Sequence, residues 1–421
     1  MRRPLLTVLL LASTVTPGCG DDGATPVDAG GDVTPMIDAP PNSCQSQGAI
    51  GQFIRRAGNP RVLPGTTFTD GKIDTRIADP DVQWDATAQR WIAYWGAGHG
   101  ASYTDPNLVS IIRRATSADR MSWTLDDEPA FAQSTSPTAW DRVHTDAPTV
   151  VYNPAAPADR RYLMLYAGAD GAFPHPGYTR PNYQIGAAFS ADGRTFTRVP
   201  AAQSPHGKDG LVLTGLQVFP TGADGIVSDP EVVLVDGIYH LYFSSLSCSG
   251  ATCATIDTFG VSHATSPDGI TWTIEEAPVR SLLRTSLLTS GGEQPSVIYD
   301  AIHCTWEIWL RSDAGMDATT QPVRQANMIG VYKADSEDGM SWHANFAFNR
   351  DLTWDATAVN ATGEDLGMRA GADIAANGNG RLMLYVGYDD DNVPTGFTLP
   401  LRAGGTTPGV SALNIATRDL P

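Results

Sequence analysis

The chain has 421 residues, with 46 acidic against 28 basic side chains and a formal net charge of −18. This charge excludes a general electrostatic attraction to nucleic acid or to an anionic membrane surface, and it is compatible with neutral substrates. Length alone would allow two or three domains.

The first 18 residues have the features of a signal peptide. Arg2 and Arg3 give a positive start, residues 5–11 form an apolar run, and small residues follow. Cys19 comes directly after that region, which resembles a bacterial lipoprotein signal; the alternative is a plain signal peptide with an incidental Cys. The apolar run is too short to span a bilayer. The sequence therefore predicts export and a lipid anchor on Cys19 in a membrane of a bacterial envelope, periplasmic or at the cell surface.

Two segments follow the signal. Residues 19–45 are rich in Gly, Asp, Ala, Pro and Thr and carry almost no bulky apolar side chains, so they are predicted to form a flexible tether. Residues 46–421 are predicted to form one domain, because two phrases repeat along them. The mature protein is expected to be a monomer.

The first repeated phrase, here called the turn phrase, contains Ser, then Asp two residues later, usually Gly, and an aromatic residue at its end. Its four copies lie about 70 residues apart, at 117–123, 190–196, 266–272 and 336–342. Asp-Gly tolerates positive φ and closes a tight hairpin, so each copy is predicted to be a structural turn. A long fixed period indicates one supersecondary unit used repeatedly.

The second phrase, here called the acid phrase, is an acid followed by Pro and an apolar strand. Its copies begin at Asp79, Asp146, Asp229, Glu293 and, in a degenerate form, Gly371. An aromatic-rich strand, which covers residues 90–95 in the first repeat, comes next. A third strand, the turn phrase and an outer strand follow it, which makes each repeat a four-stranded antiparallel sheet. Five repeats predict an all-β fold, a five-bladed β-propeller.

The last repeat lacks its turn phrase and its outer strand. Residues 52–63 resemble the outer segments of the other repeats. They are therefore predicted to close the ring against the last blade, which would remove exposed sheet edges.

The acids of the acid phrases are candidates for one site, because the innermost strands of a propeller line its central axis. Acids at the starts of those strands would converge at one mouth of the channel: Asp79, Asp146, Asp229, Glu293 and Asp373. Carboxylates brought together raise one another's pKa or need cationic partners; the nearby candidates are Arg76, Arg142, Arg311 and Arg369. The alternative is that each acid only sets a turn at a strand start.

Three of the acid phrases resemble the acid motifs of the five-bladed propeller glycosidases. The phrases at Asp79, Asp229 and Glu293 are most similar to those of glycoside hydrolase family 43, with families 32, 62, 68 and 130 as relatives. The resemblance implies hydrolysis of arabinose-, xylose- or galactose-type glycans with inversion. Asp79 would be the general base, Glu293 the general acid, and Asp229 the group that tunes the acid. Two departures are Gln294, where the family usually has Gly, and Asp81, which competes with Asp79 as the base.

Further side chains are candidates for substrate contacts. Asp146 belongs to a phrase that resembles a substrate-lining motif of the same family. Aromatic platforms suit the C–H faces of sugars, and polar side chains suit their hydroxyls. The candidates are Asp146, Asp373, Trp95, Trp140, Trp354, His99, His144 and Arg369. For each Trp the alternative is packing between blades.

No cofactor and no metal site is predicted, although a structural calcium in the channel is compatible with the pattern. Cys248 and Cys253 flank a four-residue loop and are predicted to form a disulfide, which leaves Cys44 to pair with Cys304. No zinc-ligand spacing supports a metal at these cysteines.

Other functions stay open at this point. A catalytically silent propeller could bind glycans or another protein from the lipid anchor. A sialidase-like enzyme is suggested by the turn phrases, but its three arginines and tyrosine nucleophile are not identifiable. A phosphorylase would need a cationic phosphate pocket and cytoplasmic phosphate, and the predicted export argues against it.

Overall fold

The computed structural model describes the chain from residue 44 onward with gaps. The described residues are 44, 53–56, 62, 65–102, 105–171, 182–220, 224–249, 255–275, 293–312, 330–342, 350–353, 370–377, 380–389 and 410–419. The predicted signal, Cys19 and nearly all of the tether lie outside them. Among the described residues, no helix has the length and hydropathy needed to cross a membrane.

The described residues form five antiparallel sheets, numbered here as blades one to five. Blade one contains β2 (Ile73–Asp85), β3 (Arg90–Gly100), β4 (Val109–Ser117), β5 (Thr124–Leu125) and β6 (Phe131–Ala132). Blade two contains β7 (His144–Tyr152), β8 (Tyr162–Ala169), β9 (Gln184–Ser190), β10 (Thr197–Arg198) and β11 (Leu211–Leu213). Blade three contains β12 (Asp224–Val235), β13 (Ile238–Ser249), β14 (Thr255–Ser266) and β15 (Thr273–Glu275). Blade four contains β16 (Glu293–Asp300), β17 (Thr305–Ser312), β18 (Gly330–Ser336) and β19 (Arg350–Thr353). Blade five contains β20 (Ala370–Asn377), β21 (Gly380–Asp389), β22 (Val410–Asp419) and the first strand of the chain, β1 (Ile54–Arg55).

This arrangement is the predicted five-bladed β-propeller. Helical structure among the described residues is limited to a 3₁₀ turn at Ala158–Arg160 and a single α-helical turn, α1 (Gly215–Val218). The innermost strands are β2, β7, β12, β16 and β20, each of which pairs with the following strand of its own blade.

The ring is closed by the N-terminal strand, as the sequence predicted. β1 pairs antiparallel with β22 through Ile54 opposite Thr417 and Arg55 opposite Ala416. Blade five thereby gains the outer strand that its own repeat lacks. A disulfide between Cys44 and Cys304 also ties the segment before β1 to the turn that follows β16 in blade four. Cys253 lies outside the described residues, so the bridge between Cys248 and Cys253 stays a prediction.

The turn phrases are structural. In the copy of blade three, the Ser266 hydroxyl donates to Asp268, whose Oδ1 accepts the backbone N–H groups of Ile270 and Thr271, both at 2.8 Å. Gly269 has a φ of +72°, and a Cβ there would lie 2.6 Å from the Leu163 side chain of blade two. The turn therefore needs glycine both for its backbone and for close packing against the previous blade.

The aromatic residues after these turns fill the spaces between blades. Trp272 is buried with Leu163 and Leu165 of blade two, and Trp342 is buried with Tyr242 of blade three. The core of the ring is thus a series of clusters, each built from facing sheets of neighbouring blades.

Two histidines, the buried His263 and the half-buried His240, stack on each other beside the cluster between blades three and four. His263 is 2% exposed, and its ring stacks on that of His240 at 5.4 Å between centroids. The Tyr242 ring lies 4.6 Å away on the same sheet. Burial and the neighbouring His240 lower the pKa of His263 to about 3.

This depressed pKa predicts an acid-sensitive blade. Unfolded histidine has a pKa of about 6.5, so below that value the unfolded chain gains a proton that folded His263 does not accept. The contribution of neutral His263 to the unfolding free energy is therefore complete above pH 6.5, and it is lost as the pH falls from 6.5 toward 3. We expect the His263→Gln variant to lose about 2 kcal/mol less unfolding free energy than the wild type between pH 7 and pH 5. Urea unfolding at several pH values measures this difference.

His206 provides the control, because its hydrogen bond to Gln217 is at the surface. The His206→Gln variant should keep the pH dependence of the wild type. Identical pH dependence in the His263→Gln variant would contradict the prediction.

Candidate active site

Four innermost strands contain the same backbone irregularity before a proline. The residue before Pro has a positive φ in each of them: Asp79 (44°), Ala147 (45°), Asp229 (47°) and Gln294 (53°). The pairing register of each sheet shifts at the same point. Pro disfavours the right-handed helical region for the preceding residue, and a bulge of this kind redirects side chains within a strand. This feature, called here the inner bulge, is the framework of the site.

The inner bulge corrects the sequence alignment of the acids. Asp79 and Asp229 occupy the position before Pro, whereas Asp146 and Glu293 come one residue earlier. The acids are therefore not five copies of one position. A role that depended only on turn geometry would require the same position in every blade, so their variation favours a role in the channel.

Asp81 and its equivalents connect neighbouring blades. Each residue directly after the proline accepts a backbone N–H from the innermost strand of the next blade: Val150 to Asp81 (3.3 Å), Val232 to Thr149 (3.2 Å), Val297 to Glu231 (3.4 Å) and Ile374 to Ser296 (2.9 Å). Asp81 is only 4% exposed. Asp81 thus serves the contact between blades one and two, which favours Asp79 over Asp81 as the base.

Asp373 aligns with Asp81 and not with Asp79. Ile374 is equivalent to Val150 and Val297, because its backbone N–H donates to Ser296, the residue after the proline in the neighbouring blade. The residue before it, Asp373, therefore stands at the position that links blades. This register weighs against the predicted substrate contact of Asp373.

The innermost strands of blades one and four meet across the channel. The Gln294 side chain donates from Nε2 to Asp79 Oδ1 at 2.8 Å. Blades one and four are not neighbours in the ring, so this bond spans the central axis. Glu293 precedes Gln294 at the start of β16, where its backbone pairs with Arg311. The proposed base and the strand that carries the proposed acid are therefore in direct contact.

Blades one and two are joined near their inner bulges by an ion pair. Arg76 Nη2 donates to Asp146 Oδ2, and the Arg76 side chain is 41% exposed against 7% for Asp146. The charge of Asp146 raises the pKa of Arg76 against the opposing effect of burial. A Cβ at Gly96 would lie 2.8 Å from Asp146 Cγ, so glycine is needed there to seat the carboxylate. The prediction that Arg76 offsets the clustered acids is confirmed for Asp146.

Tyr183, just before β9, lies within the electrostatic field of the acids. Burial raises the pKa of its hydroxyl most, and the charge of Asp146 adds to this. Asp79 and Asp229 raise the pKa further. Since the three carboxylates act on one hydroxyl, blades one, two and three converge at this point.

His144 stands beside Tyr183, with 5.7 Å between ring centroids. Burial and the charge of Arg76 lower the pKa of His144, so its imidazole is neutral at neutral pH and can donate at one nitrogen and accept at the other. This placement keeps His144 as a candidate for binding a hydroxyl group.

Asp229 has its own local partner. The Ser228 hydroxyl donates to Asp229 Oδ2 at 3.0 Å. Asp79, Asp146 and Asp229 thus lie near one another around Tyr183, with Arg76 beside them. Asp79 and Asp229 are in the middle of β2 and β12, and not at the strand starts where the sequence predicted them. Sequence reasoning missed Gln294 and Tyr183 as members of this group.

The tryptophans predicted as sugar platforms are core residues. Trp95 is 0% exposed and packs in the cluster between blades one and five. Trp140 is 7% exposed, stacks on Tyr166 at 5.8 Å and donates Nε1–H to the Asp209 carbonyl. The prediction was wrong for both, and packing between blades, the alternative, is their role.

His99 likewise lies in a polar network and not in the channel. Its ring nitrogens contact Asp74 at 3.1 Å and Asp70 at 2.8 Å, and Arg113 bonds the same Asp74. Arg369 and Trp354 lie outside the described residues. Among the residues that are described, no group of three or more His, Cys, Asp or Glu side chains could hold a metal ion.

Comparison with known proteins identifies similar folds. No family model matches the chain, and no curated protein matches it. A solved Parabacteroides distasonis ATCC 8503 protein, provisionally assigned as a glycoside hydrolase, is 15% identical with a TM-score of 0.55, over 89% of this chain and 98% of that one. β-1,2-Mannobiose phosphorylase from Listeria innocua is 12% identical with a TM-score of 0.52, over 87% and 97%.

A third similar structure belongs to GH130, described as a family of mannoside phosphorylases that contains glycoside hydrolases targeting β-1,2-mannosidic linkages in Candida mannan. It is 15% identical with a TM-score of 0.51, over 89% of this chain and 96% of that one. At such low identity the likeness concerns the fold. The chain has a five-bladed propeller fold whose structural neighbours are glycoside hydrolases and mannoside phosphorylases.

Proposed function

We propose that this protein is a glycoside hydrolase whose active site is the channel mouth formed by Asp79, Asp146, Asp229 and Glu293. The observation that carries the proposal is the bond between Gln294 and Asp79 across the channel. It brings the innermost strands of two non-adjacent blades within one side-chain length, which is the convergence that a two-carboxylate mechanism needs.

The chemistry assigns distinct roles to the carboxyl groups. Glu293 protonates the oxygen of the leaving group, while Asp79 removes a proton from a water that attacks the opposite face of the sugar. Asp229 lies near enough to influence the site electrostatically, and a nearby negative charge favours the protonated form of the acid. A water between base and acid gives inversion at the anomeric carbon.

The remaining groups suit a neutral sugar. Arg76 and Asp146 compensate each other's charge, and Tyr183 and His144 are neutral near pH 7. These groups can exchange hydrogen bonds with several ring hydroxyls without demanding a charged ligand. A specificity for arabinose-, xylose- or galactose-type glycans follows from the resemblance to family 43. The solved neighbours add β-1,2-mannosides as candidates. Lipidation at Cys19 would hold the enzyme at a membrane of the envelope.

The test is a panel of aryl glycosides and oligosaccharides of these sugars, assayed with and without inorganic phosphate. Hydrolysis without phosphate, with NMR detection of the inverted anomer, is the expected result. Turnover that requires phosphate would indicate a phosphorylase. Saturable glycan binding without turnover on any substrate would overturn the proposal in favour of a binding propeller.

A further inference from the structure

We infer that Gln294 is the positioning residue of the catalytic base: its amide orients the Asp79 carboxylate and favours its ionised form. This inference rests on the proposed function of the same site. It concerns a residue that departs from the pattern of the resembled family, where glycine is usual at this position.

The backbone of Gln294 explains both the usual glycine and the unusual glutamine. Its φ of +53° lies in the left-handed region, which glycine adopts without steric conflict and other residues adopt at a cost. A long side chain at such a position is disfavoured unless a contact compensates for it. The bond from Nε2 to Asp79 Oδ1 is such a contact.

The direction of the side chain is fixed at its origin as well as at its end. The Gln294 backbone N–H donates to the Ser244 hydroxyl of blade three at 2.9 Å. Blade three therefore holds the main chain of Gln294 while its amide reaches blade one. Gln294, the residue next to the proposed acid Glu293, thus bonds the proposed base Asp79. This contact fixes the position of the innermost strand of blade four relative to that of blade one.

The chemistry of an amide suits this task. An N–H donor favours the charged form of a carboxylate, and it holds Oδ1 so that Oδ2 is directed to the attacking water. A cation at the same place would favour ionisation more strongly, and it would therefore weaken the carboxylate as a proton acceptor more than an amide does. Among the described side chains, Asp79 acts electrostatically on Arg76 of its own strand and on Tyr183. Asp146 acts on the same two groups, and Asp229 acts on Tyr183.

The experiment compares three variants with the wild type on the best substrate of the panel. Gln294→Gly removes the amide and keeps the backbone relaxed, so folding should be maintained or improved. Gln294→Asn keeps an amide and tolerates positive φ, but its side chain is shorter. Gln294→Glu places a second anion against Asp79.

For Gln294→Gly we expect kcat to fall at least about tenfold while KM changes by less than about twofold, because the base is misplaced but substrate binding is not. The acidic limb of the kcat/KM profile should move upward by about half to one pH unit, since the charged carboxylate loses a donor. Gln294→Asn should resemble Gln294→Gly, and Gln294→Glu should shift the limb further. Thermal midpoints separate these effects from misfolding, because a merely structural role would not move the pH limb of a folded enzyme.

An unchanged kcat and an unchanged acidic limb in a folded, active Gln294→Gly variant would overturn the inference and leave the hydrolase proposal intact. A wild type that hydrolyses nothing on the panel would overturn both. The two failures are therefore distinguishable.

Discussion

Replacing Asp79 by Asn is expected to lower kcat/KM by at least about 100-fold on any substrate of the enzyme. An amide cannot accept the proton of the attacking water, and the substitution changes neither the size of the side chain nor its place in the inner bulge. The Glu293→Gln variant should lose a similar factor on natural glycans, because it cannot protonate the leaving oxygen. Steady-state kinetics with purified variants measures both.

The leaving group distinguishes the two roles. The dinitrophenolate of a dinitrophenyl glycoside leaves without protonation, so Glu293→Gln should regain most of its activity on that substrate. Asp79→Asn should not, because the water still lacks a base. Equal recovery in both variants would contradict the assignment of base and acid.

Asp81→Asn is the matched control, two residues along the same strand. Asp81 accepts the Val150 N–H between blades one and two. Asparagine keeps an oxygen that can accept this N–H, so Asp81→Asn should leave kcat/KM of the folded enzyme within about threefold. A 100-fold loss in Asp81→Asn, with full activity in Asp79→Asn, would make Asp81 the base.

The ring could be predicted from the sequence because its signals are local and repeated. The turn phrases give the period, and the missing outer strand of the last repeat leaves one place for residues near the N-terminus. The pairing of Ile54 with Thr417 confirms that reasoning. The disulfide between Cys44 and Cys304 could also be predicted, because the short loop between Cys248 and Cys253 suggests that those two pair with each other and leaves Cys44 and Cys304 as the second pair.

The sequence pattern does not decide between a sugar platform and a buried position for Trp95, because it underestimates the length of the strand. The pattern predicts a strand that ends at Trp95, which would place the ring at a channel mouth. β3 in fact continues to Gly100, so Trp95 lies in mid-strand and enters the core. The glycines at 96, 98 and 100 concealed this continuation, since glycine usually interrupts strands.

Trp140 shows a different limit. A Cβ at Gly168 would lie 2.6 Å from the Trp140 ring, so the ring is seated over a glycine on β8. The ring fits there because the residue 28 positions away, Gly168, has no side chain. No local pattern marks such a complement.

The inner bulge explains why sequence spacing alone aligns the acids incorrectly. A one-residue difference in where an acid precedes Pro decides whether it sits at the bulge or before it, and the residue after Pro joins the next blade. Asp81 and Asp373 therefore share a place that spacing alone assigned to different roles. The sequence marks Gln294 only as a departure from Gly, because its partner Asp79 is 215 residues distant.

Blades four and five are joined by a buried ionic network centred on Glu307. Glu307 is 0% exposed on β17 and contacts Lys333 at 2.9 Å and Arg381 at 3.1 Å. Arg381 also reaches Asp300 at 2.6 Å. Burial raises the pKa of Glu307, but Lys333 and Arg381 outweigh it and hold the pKa below its usual value. The carboxylate is therefore ionised in the folded protein and compensates two buried cations at once.

The Glu307→Gln variant is expected to lose up to about 3–5 kcal/mol of unfolding free energy, because buried Lys333 and Arg381 would lose their shared anion and keep only Asp335 and Asp300 as partners. Asp335→Asn is the matched control: Asp335 contacts the same Lys333 at 2.6 Å, but its side chain is 36% exposed, so its loss should amount to less than about 1 kcal/mol. Urea unfolding at pH 7 compares the two. Equal losses would mean that burial does not set the strength of this network.

The lowered pKa of Glu307 adds a pH dependence to this prediction. The difference in unfolding free energy between Glu307→Gln and the wild type should have its full size above pH 5. It should shrink as the pH falls, since protonation of the wild-type carboxyl then removes the same charge. The contact between blades four and five matters for closure of the ring, because β1 pairs with blade five and the disulfide of Cys44 attaches to blade four.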